Sequence, residues 1–559
     1  MITLGINAAF HDPAACLVRD GAVVAAAEEE RFTRVRHGKR PAPLSARELP
    51  FHAIHFCLGR AGIHLREVDH VAYSFDPWLP AAPTPWRDPG FTSSVVDAPR
   101  QLAAGAPPLL ASRFGEVSGD GPFQWHFVSH HLAHASSAFL PSPFEEAAVM
   151  TLDSRGEKAA TWYGVGRGDD LRTLDQVEMP HSLGLLYERV TEHLGFLHAS
   201  DESKVMALAS YGTPGYLGAF RDAIRMDGEG QYTIRLDGLL EDLGPPRRRG
   251  GPIESRHHDI AASLQAALEE SVLHLARWLH HRMGENAGAS REALCLAGNV
   301  ALNCVLNARL RDRGPFRRLW VQPASGEAGT AIGAALWVDG RARRSGRSWR
   351  MEDAYLGPSY DDGEIEGLLR RSGLRYRRMS DVAGEAAGLL AAGRVLGWFQ
   401  GRMEFGPRAL GARSILASPL KPSMRDRVNE IKDREDFRPV APVVLEERAA
   451  EWFTQSAESP FMLFSCDVRP DRRSRIPAVE HVDGSARIQT VRRSQNALYH
   501  ALLAAFCDLT DVPVLINTSF NARGEPIVCT PRDAVERFRM SPLDDLVIGS
   551  FHLSKQDEG

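Results

Sequence analysis

Three short apolar runs open the chain, at residues 2–6, 14–18 and 22–27. A polar loop (7–13) separates the first two, and Asp20-Gly21 separates the second from the third. Asp-Gly between apolar runs marks a tight hairpin, because both of its residues accept the positive φ that such a turn requires. The reading is strand, loop, strand, turn, strand. A similar pattern returns at residues 147–152, an apolar run that ends at Asp153, followed by the polar loop 154–158 and a returning strand at 161–165. Two such units predict a duplicated α/β core, in which a ligand sits between the halves at the strand ends. A chain of 559 residues also exceeds what one hydrophobic core supports, so two or more domains are expected.

The rest of the chain fits that plan. Residues 260–283 read as an amphipathic helix, with Ile260, Leu264, Leu268, Val272 and Leu275 at helical spacing. Residues 294–297 read as a strand, 298–300 as a turn and 301–310 as a helix. The Pro- and Trp-rich segment 76–108 reads as an irregular surface insertion, and 244–252 as a breaker segment. The basic stretch 340–350, poor in apolar residues, is the expected domain boundary. It gives domains at 1–345 and 352–559.

Composition narrows the function. Lys and Arg number 66 against 71 Asp and Glu, a net charge of −5, so no global positive field favours nucleic acid. Seven cysteines with no CxxC pair argue against a disulfide framework or zinc ribbon and fit a reducing cytoplasm. The opening MITLGINAAFHD lacks the basic and apolar regions of a signal peptide. The apolar stretch 382–399 is interrupted by Glu385, Arg394 and glycines, so no membrane span is expected.

Several polar clusters stand out. His130 and His134 are four apart, which on a helix places both imidazoles on one face. Surface or core histidines are the plainer explanation of such a pair. Asp153 at a strand end and Glu327 in a glycine-flanked loop could complete a His₂–carboxylate set suited to Fe(II), Mn or Zn. A helix cap and an N-terminal helix charge are the ordinary alternatives for these two acids. Residues 298–303 (GNVALN) join a strand to a helix and either approach a phosphate or form a tight packing turn. In the C-terminal half, glycines and charges mix at 401–411, and 432–439 sets three cations near three acids. Arg487 and Gln489 share one face of a strand, and a polar cluster at 517–521 follows the apolar run 512–516. Guanidinium forks match phosphate oxygens, although solvated salt-bridge surfaces are the commoner use of such charges. On residue chemistry alone the reading ends at an anion or phosphate site.

Nine ordered motifs carry a resemblance along nearly the whole chain. They are residues 7–14 with Phe10-His11-Asp12-Pro13, 27–33 (AEEERFT), 129–135 (SHHLAHA), 182–187 (SLGLLY), 204–212 (KVMALASYG), 297–303 (AGNVALN), 405–415 (FGPRALGARSI), 434–442 (REDFRPVAP) and 517–525 (NTSFNARGE). The chain resembles the O-carbamoyltransferase family of antibiotic-tailoring and nodulation enzymes. The resemblance implies an N-terminal domain of the duplicated sugar-kinase/actin class, like the metal-binding tRNA threonylcarbamoyl transferases, and a C-terminal YrdC-like α/β domain. It further implies that carbamoyl phosphate and ATP, with Mg, give carbamoyl-adenylate in the C-terminal domain. The N-terminal domain, holding nucleotide and Fe(II) or another divalent metal, would pass the carbamoyl group to the hydroxyl of a small-molecule acceptor, a natural product.

By motif position, Arg408, Lys432, Arg438, Arg487, Asn517 and Ser519 match the carbamoyl phosphate and ATP site. His130, His134, Asp153 and Glu327 match the metal ligands, Gly298, Asn299 and Asn303 the nucleotide loop, and His11 and Lys39 the transfer site, with His11 as a base for the alcohol. Two positions depart from the family pattern. Glu327 stands where Asp is usual, and Asn299 where a second glycine is usual. No nucleic acid or membrane partner is expected, and a homodimer is left open. A tRNA-modifying threonylcarbamoyl transferase and a catalytically silent nucleotide-binding scaffold are the alternatives; the acidic balance disfavours the first.

Overall fold

The computed structural model describes residues 1–38, 49–80, 98–114, 122–236, 238–284, 291–455 and 458–558. It is a mixed α/β structure in two compact units, Met1–Met351 and Glu352–Gly559. In the first unit, β1 (Ile2–Asn7), β2 (Ala14–Arg19), β3 (Ala22–Glu28), β4 (His70–Tyr73) and β5 (Gln124–Phe127) form a sheet in the order β3-β2-β1-β4-β5. The strands β1, β2 and β3 are antiparallel neighbours, whereas β4 and β5 continue parallel to β1. Asp20 (φ 51°) and Gly21 (φ 86°) make the β2–β3 turn, as the Asp-Gly signal predicts.

The second sheet repeats this topology. Strands β6 (Glu146–Leu152), β7 (Ala159–Arg167) and β8 (Asp170–Glu178) are antiparallel. A small hairpin of β9 (Ile224–Met226) and β10 (Tyr232–Ile234) intervenes, and β11 (Ala293–Ala297) and β12 (Arg318–Val321) then extend the sheet parallel to β6. The order β12-β11-β6-β7-β8 is the mirror listing of the first. The shared order establishes the duplication, which residue-level similarity only hints at. Buried on nearly every residue, β1 and β6 are the central strands of the two sheets, and their continuous apolar runs follow from coverage on both faces.

The helix Gly329–Arg343 packs against β1 and against the helix His130–Phe139. Two glycines allow the approach. A Cβ on Gly5 would stand 2.0 Å from the Ala331 carbonyl oxygen, and one on Gly333 would stand 1.8 Å from that of Ala133. This close packing fixes the N-terminus of Gly329–Arg343, and with it Glu327, beside the first turn of His130–Phe139.

Two sequence expectations need correction. Residues 98–108 are not irregular: they belong to the helix Ala98–Phe114, which carries Pro107 and Pro108 yet buries Leu102, Ala103, Ala106 and Leu110 in the core of the first sheet. Apolar burial there overrides the proline penalty. The helix expected at 301–310 begins later, at Cys304, because the Asn303 side chain accepts from the Leu306 N–H and caps it.

The second unit is built on one mixed sheet. Its strands are β13 (Arg377–Arg378), β14 (Leu396–Phe399), β15 (Arg413–Ala417), β16 (Ala441–Leu445), β17 (Phe464–Asp467), β18 (Ser485–Val491), β19 (Val514–Ser519), β20 (Asp545–Ile548) and β21 (Phe551–Ser554). Their order is β13-β21-β20-β14-β15-β19-β16-β18-β17. Trp398, Val443, Leu515, Phe520 and Phe538 lie in its core. Residues 382–399 fold as the helix Val382–Ala391 followed by β14, and no helix among the described residues is long and apolar enough to cross a membrane.

Replacing Gly333 with Ala must push two helices apart at backbone level. The expected loss of unfolding free energy is about 1–3 kcal/mol, measured by denaturant titration of the purified variant.

Candidate metal centre and anion site

The helix His130–Phe139 places His130 and His134 one turn apart on a buried face. The Nε2 atoms of the two rings stand 3.1 Å apart, each directed into the same small space. Asp153 follows the last residue of β6, and Glu327 precedes the helix Gly329–Arg343. Ligand atoms of His130, His134, Asp153 and Glu327 all lie within 4.8 Å of one another, and all four side chains are buried. His130 Nε2 is 3.3 Å from Asp153 Oδ2 and 3.2 Å from Glu327 Oε2.

The intervening His131 behaves differently. Its Nδ1 pairs with Thr151 Oγ1 at 2.7 Å and its Nε2 with the Ala159 carbonyl at 2.9 Å. Burial, with His130 alongside, lowers its pKa to about 3, so it is a neutral core histidine. The four-residue spacing thus separates the convergent pair from the structural one between them.

Electrostatics show what the cluster lacks. Burial opposes charge on His130, but Glu327 and Asp153 outweigh it and raise its pKa to about 9. Burial and the neighbouring Asp153 raise the pKa of Glu327, whereas the histidines hold the Asp153 carboxyl well below the usual range against the effect of its own burial. Two carboxylates and two imidazoles in one dry volume form a donor set that a divalent cation satisfies, and the set fits such an ion.

The loop 298–303 supports these ligands. The Asn299 backbone N–H donates to Asp153 Oδ1 at 2.8 Å, and its Nδ2 donates to Glu327 Oε1 at 3.1 Å. The two departures from the family pattern therefore meet in one hydrogen bond. Gly298 has φ 91°, and a Cβ there would stand 2.1 Å from the Leu152 carbonyl oxygen, so it makes a tight packing turn. The Asn303 side chain is committed to its helix cap and to Gln265.

His11 stands at the edge of the cluster, its Nε2 3.7 Å from Glu327 Oε1. Its Nδ1 pairs with Asp12 Oδ2 at 3.0 Å, and the other oxygen of Asp12 pairs with His37 Nδ1 at 2.8 Å. The Nε2 of His37 reaches Ser200 Oγ at 3.0 Å. Asp12 and His37 both adopt positive φ, 48° and 61°. Motif reading quotes Asp12 without giving it a role and passes over His37; the positive φ of two non-glycine residues is a structural signal that sequence does not carry. Burial lowers the His11 pKa, but Asp12 and then Glu327 reverse this and raise it to about 9. Lys39 lies outside the described residues.

In the second unit, Lys432 is buried at the C-cap of the helix Ser423–Ile431. Its Nζ donates to neutral oxygens, the Ser519 carbonyl, Ser519 Oγ (3.0 Å) and Asn521 Oδ1. Burial, with Arg434, Arg438 and Arg537 nearby, lowers its pKa well below the usual range. Burial together with Arg438 and Arg487 lowers Arg434 to about 9. Arg438 and Arg487, both partly exposed, thus join Lys432 and Arg434 in one cationic field. Arg434 and Arg537 are members that sequence reading did not single out.

Gln489 and Asn517 lie on β18 and β19, the strands on either side of β16, and act on the loop 405–411. Asn517 Nδ2 donates to Gln489 Oε1 at 2.6 Å and to the Ala409 carbonyl at 3.1 Å, and Gln489 Nε2 donates to the Leu410 carbonyl at 2.8 Å. Glu404 Oε1 accepts from the N–H groups of Leu410 and Ala412. These bonds hold the loop that carries the half-buried Arg408.

Comparison with known proteins decides the family. Residues 2–79 and 122–336 match the family model "Carbamoyltransferase N-terminus", and 387–555 match "Carbamoyltransferase C-terminus". The chain belongs to the carbamoyltransferase family, and it is an enzyme of that class. It is 42% identical to "Nodulation protein NolNO" of Sinorhizobium fredii, over 98% of this chain and 80% of that one. It is also 42% identical to the uncharacterized Synechocystis protein sll1178, over 99% of this chain and 96% of that one. Among solved structures it is similar to a full-length HypF in a phosphate- and nucleotide-bound form, at 13% identity and a TM-score of 0.36, covering 62% of this chain and 47% of that one.

Two outcomes test the metal centre. A cation must displace the proton that His130 holds below its raised pKa. Affinity for Mn²⁺ is therefore expected to rise from roughly pH 7 to 9 and then level off, read by isothermal titration calorimetry. Asn299→Gly, which frees Glu327, is expected to weaken binding by about 10–100-fold in the same experiment.

Proposed function

We propose that this carbamoyltransferase is ATP-dependent and transfers the carbamoyl group to a hydroxyl oxygen of a small molecule. The observation that carries the reading is the pairing of two unlike sites in one family chain: a buried cation cluster around Lys432, and a buried His₂–carboxylate cluster with His11 at its edge. The first suits a small, highly charged phosphate reactant; the second suits transfer chemistry.

In the second unit, Lys432, Arg434, Arg438 and Arg487 hold the phosphate oxygens of carbamoyl phosphate and ATP, whose negative charge relieves the mutual repulsion of the cations. Loss of inorganic phosphate to water leaves carbamate. A carbamate oxygen then attacks the α-phosphorus of ATP, and pyrophosphate departs. The products are carbamoyl-adenylate, pyrophosphate and phosphate. Arg408 and Ser519 border this site, and Asn517 acts through the 405–411 loop. Mg neutralises the phosphate charge.

In the first unit the acceptor oxygen attacks the carbamoyl carbon, the bond to AMP breaks and AMP leaves. The alcohol proton passes to Nε2 of His11 in its neutral form. Asp12 accepts from Nδ1–H of His11 and so fixes the tautomer that leaves Nε2 as the base. A divalent metal such as Fe(II), held by His130, His134, Asp153 and Glu327, supplies Lewis-acid stabilisation. Because the His11 pKa is raised to about 9, its basic form grows as pH rises towards that value, and the transfer rate is expected to climb with it. The acceptor is a natural-product alcohol and not RNA; the chain's net charge of −5 supports this.

Mass spectrometry of the full chain with ATP, Mg²⁺ and carbamoyl phosphate is expected to show carbamoyl-adenylate and pyrophosphate. Arg438→Ala is expected to abolish both, and His130→Ala to leave both in place while stopping transfer. Pyrophosphate release that ignores carbamoyl phosphate would contradict the reading.

A further inference from the structure

Close to His11 stands a second imidazole to which the chemistry above gives no task. His37 lies in the segment Arg36–Gly38, shortly after the helix Glu30–Thr33. Its Nδ1 is 2.8 Å from Asp12 Oδ1, while Asp12 Oδ2 is 3.0 Å from His11 Nδ1. An ionised carboxylate only accepts, so both rings carry a proton on Nδ1. In neutral His37 this leaves Nε2 as an acceptor, and it takes the Ser200 Oγ–H at 3.0 Å. Ser200 belongs to the second repeat, between the helices Leu183–His193 and Glu202–Ala209. The contacts thus run from His11, through Asp12 and His37, to the other half of the duplicated core.

Backbone strain marks the same place. Left-handed backbone at two facing non-glycine residues, Asp12 and His37, persists only where the surroundings over-determine it. Here they do. The Asp12 N–H donates to the His37 carbonyl at 3.2 Å, and Asn7 Nδ2 donates to the Asp12 carbonyl at 3.0 Å. The His37 N–H donates to Glu30 Oε2 at 2.8 Å. On the far side, Arg36 Nη2 donates to the Ser200 carbonyl at 3.2 Å. Asp201 Oδ2 holds the same loop, accepting from the Leu197 N–H at 3.2 Å and pairing with Lys204 Nζ at 3.1 Å. The His37 ring is therefore fixed at its backbone and at its tip. The Asp12 carboxylate is not fixed by packing, because its side chain is 29% exposed. The terminal torsion of a carboxylate is broad, so one bond to the adjacent residue leaves its plane free. A second bond on the other oxygen, from a ring that is itself held, sets that plane.

We propose that His37 is a positioning residue for the transfer step: anchored on Ser200, it holds Asp12 in the orientation whose Oδ2 meets Nδ1–H of His11 and leaves Nε2 of His11 as the base. This inference rests on the reading given under Proposed function. The acceptor oxygen attacks the carbamoyl carbon, the bond to AMP breaks, and the acceptor proton passes to Nε2 of His11. The imidazolium so formed stays paired with Asp12, and His37 neither gains nor loses a proton. A base oriented before the reaction needs no rearrangement as charge develops. A misplaced one loses rate in the transfer step alone.

The test follows a single turnover of the full chain with ATP, Mg²⁺ and carbamoyl phosphate, with water as the acceptor. His37→Gly removes the imidazole and keeps the left-handed backbone without strain. His37→Asn returns a side-chain N–H donor and also tolerates positive φ. Pyrophosphate is expected to appear at the wild-type rate in both variants. AMP is expected to appear about 10–100-fold more slowly in His37→Gly, and His37→Asn is expected to recover most of that loss. If His37→Gly does not fold, His37→Asp takes its place, with the shape of Asn and no donor. AMP at the wild-type rate in the variant without a donor, an equal loss in His37→Asn, or a loss of pyrophosphate in step with AMP would each overturn the proposal. Crystal structures of the variants separate it from the reading on which it rests. Asp12 Oδ2 is expected to leave His11 in His37→Gly and to remain on it in His37→Asn. If the wild-type chain forms no carbamoyl-adenylate, the proposed reaction falls and these structures alone decide. An unmoved Asp12 in His37→Gly then removes the positioning role, and a displaced one that His37→Asn restores keeps it.

Discussion

Four buried polar side chains set the terms for the first unit. His130, His134, Asp153 and Glu327 come from a helix, a strand end and a loop, and all four are buried. Opposite charges offset part of the burial cost, as between His130 and Asp153 or Glu327, but only in a geometry that the surrounding structure must hold. It does so by backbone proximity. Gly5 and Gly333 let the helix Gly329–Arg343 approach β1 and His130–Phe139 to distances that a methyl group would forbid. Asn299 then ties the two carboxylates together. The precision of the cluster is thus a consequence of packing between helices, not of the cluster's own attraction.

The second unit solves the converse problem. Its cations repel one another, and Lys432 donates only to neutral oxygens, whereas Arg537 is paired with Glu525. In the proposed reaction a polyanion relieves that repulsion on binding. Asn517 and Gln489 brace the glycine-containing loop 405–411 through the carbonyls of Ala409 and Leu410.

Much of this was legible in the sequence. The Asp-Gly turn, the apolar runs of β1 and β6 and the His130–His134 spacing each follow from local rules, and the structure brings the two histidines to Asp153 and Glu327. Other features were not legible. Proline content suggested a loop at 98–108, where tertiary burial of Leu102 and Leu110 makes a helix. The role of Asn299 depends on Glu327, 28 residues away in the chain. The chain of contacts from His11 through Asp12 to His37 and Ser200 exists only in the folded structure. Local pattern finds groups that lie one helical turn or one strand apart; it cannot find a partner supplied by topology.

The account's central claim is that the carbamoyl group travels as a mixed anhydride with AMP. Oxygen-18 placed on the carbamoyl side of carbamoyl phosphate tests it most directly. If a carbamate oxygen attacks ATP and the carbamoyl carbon is later attacked by the acceptor or by water, label appears in the released AMP, at most one atom per molecule because the two carbamate oxygens are equivalent, and pyrophosphate carries none. Unlabelled AMP, formed while carbamoyl phosphate is consumed, would contradict the account.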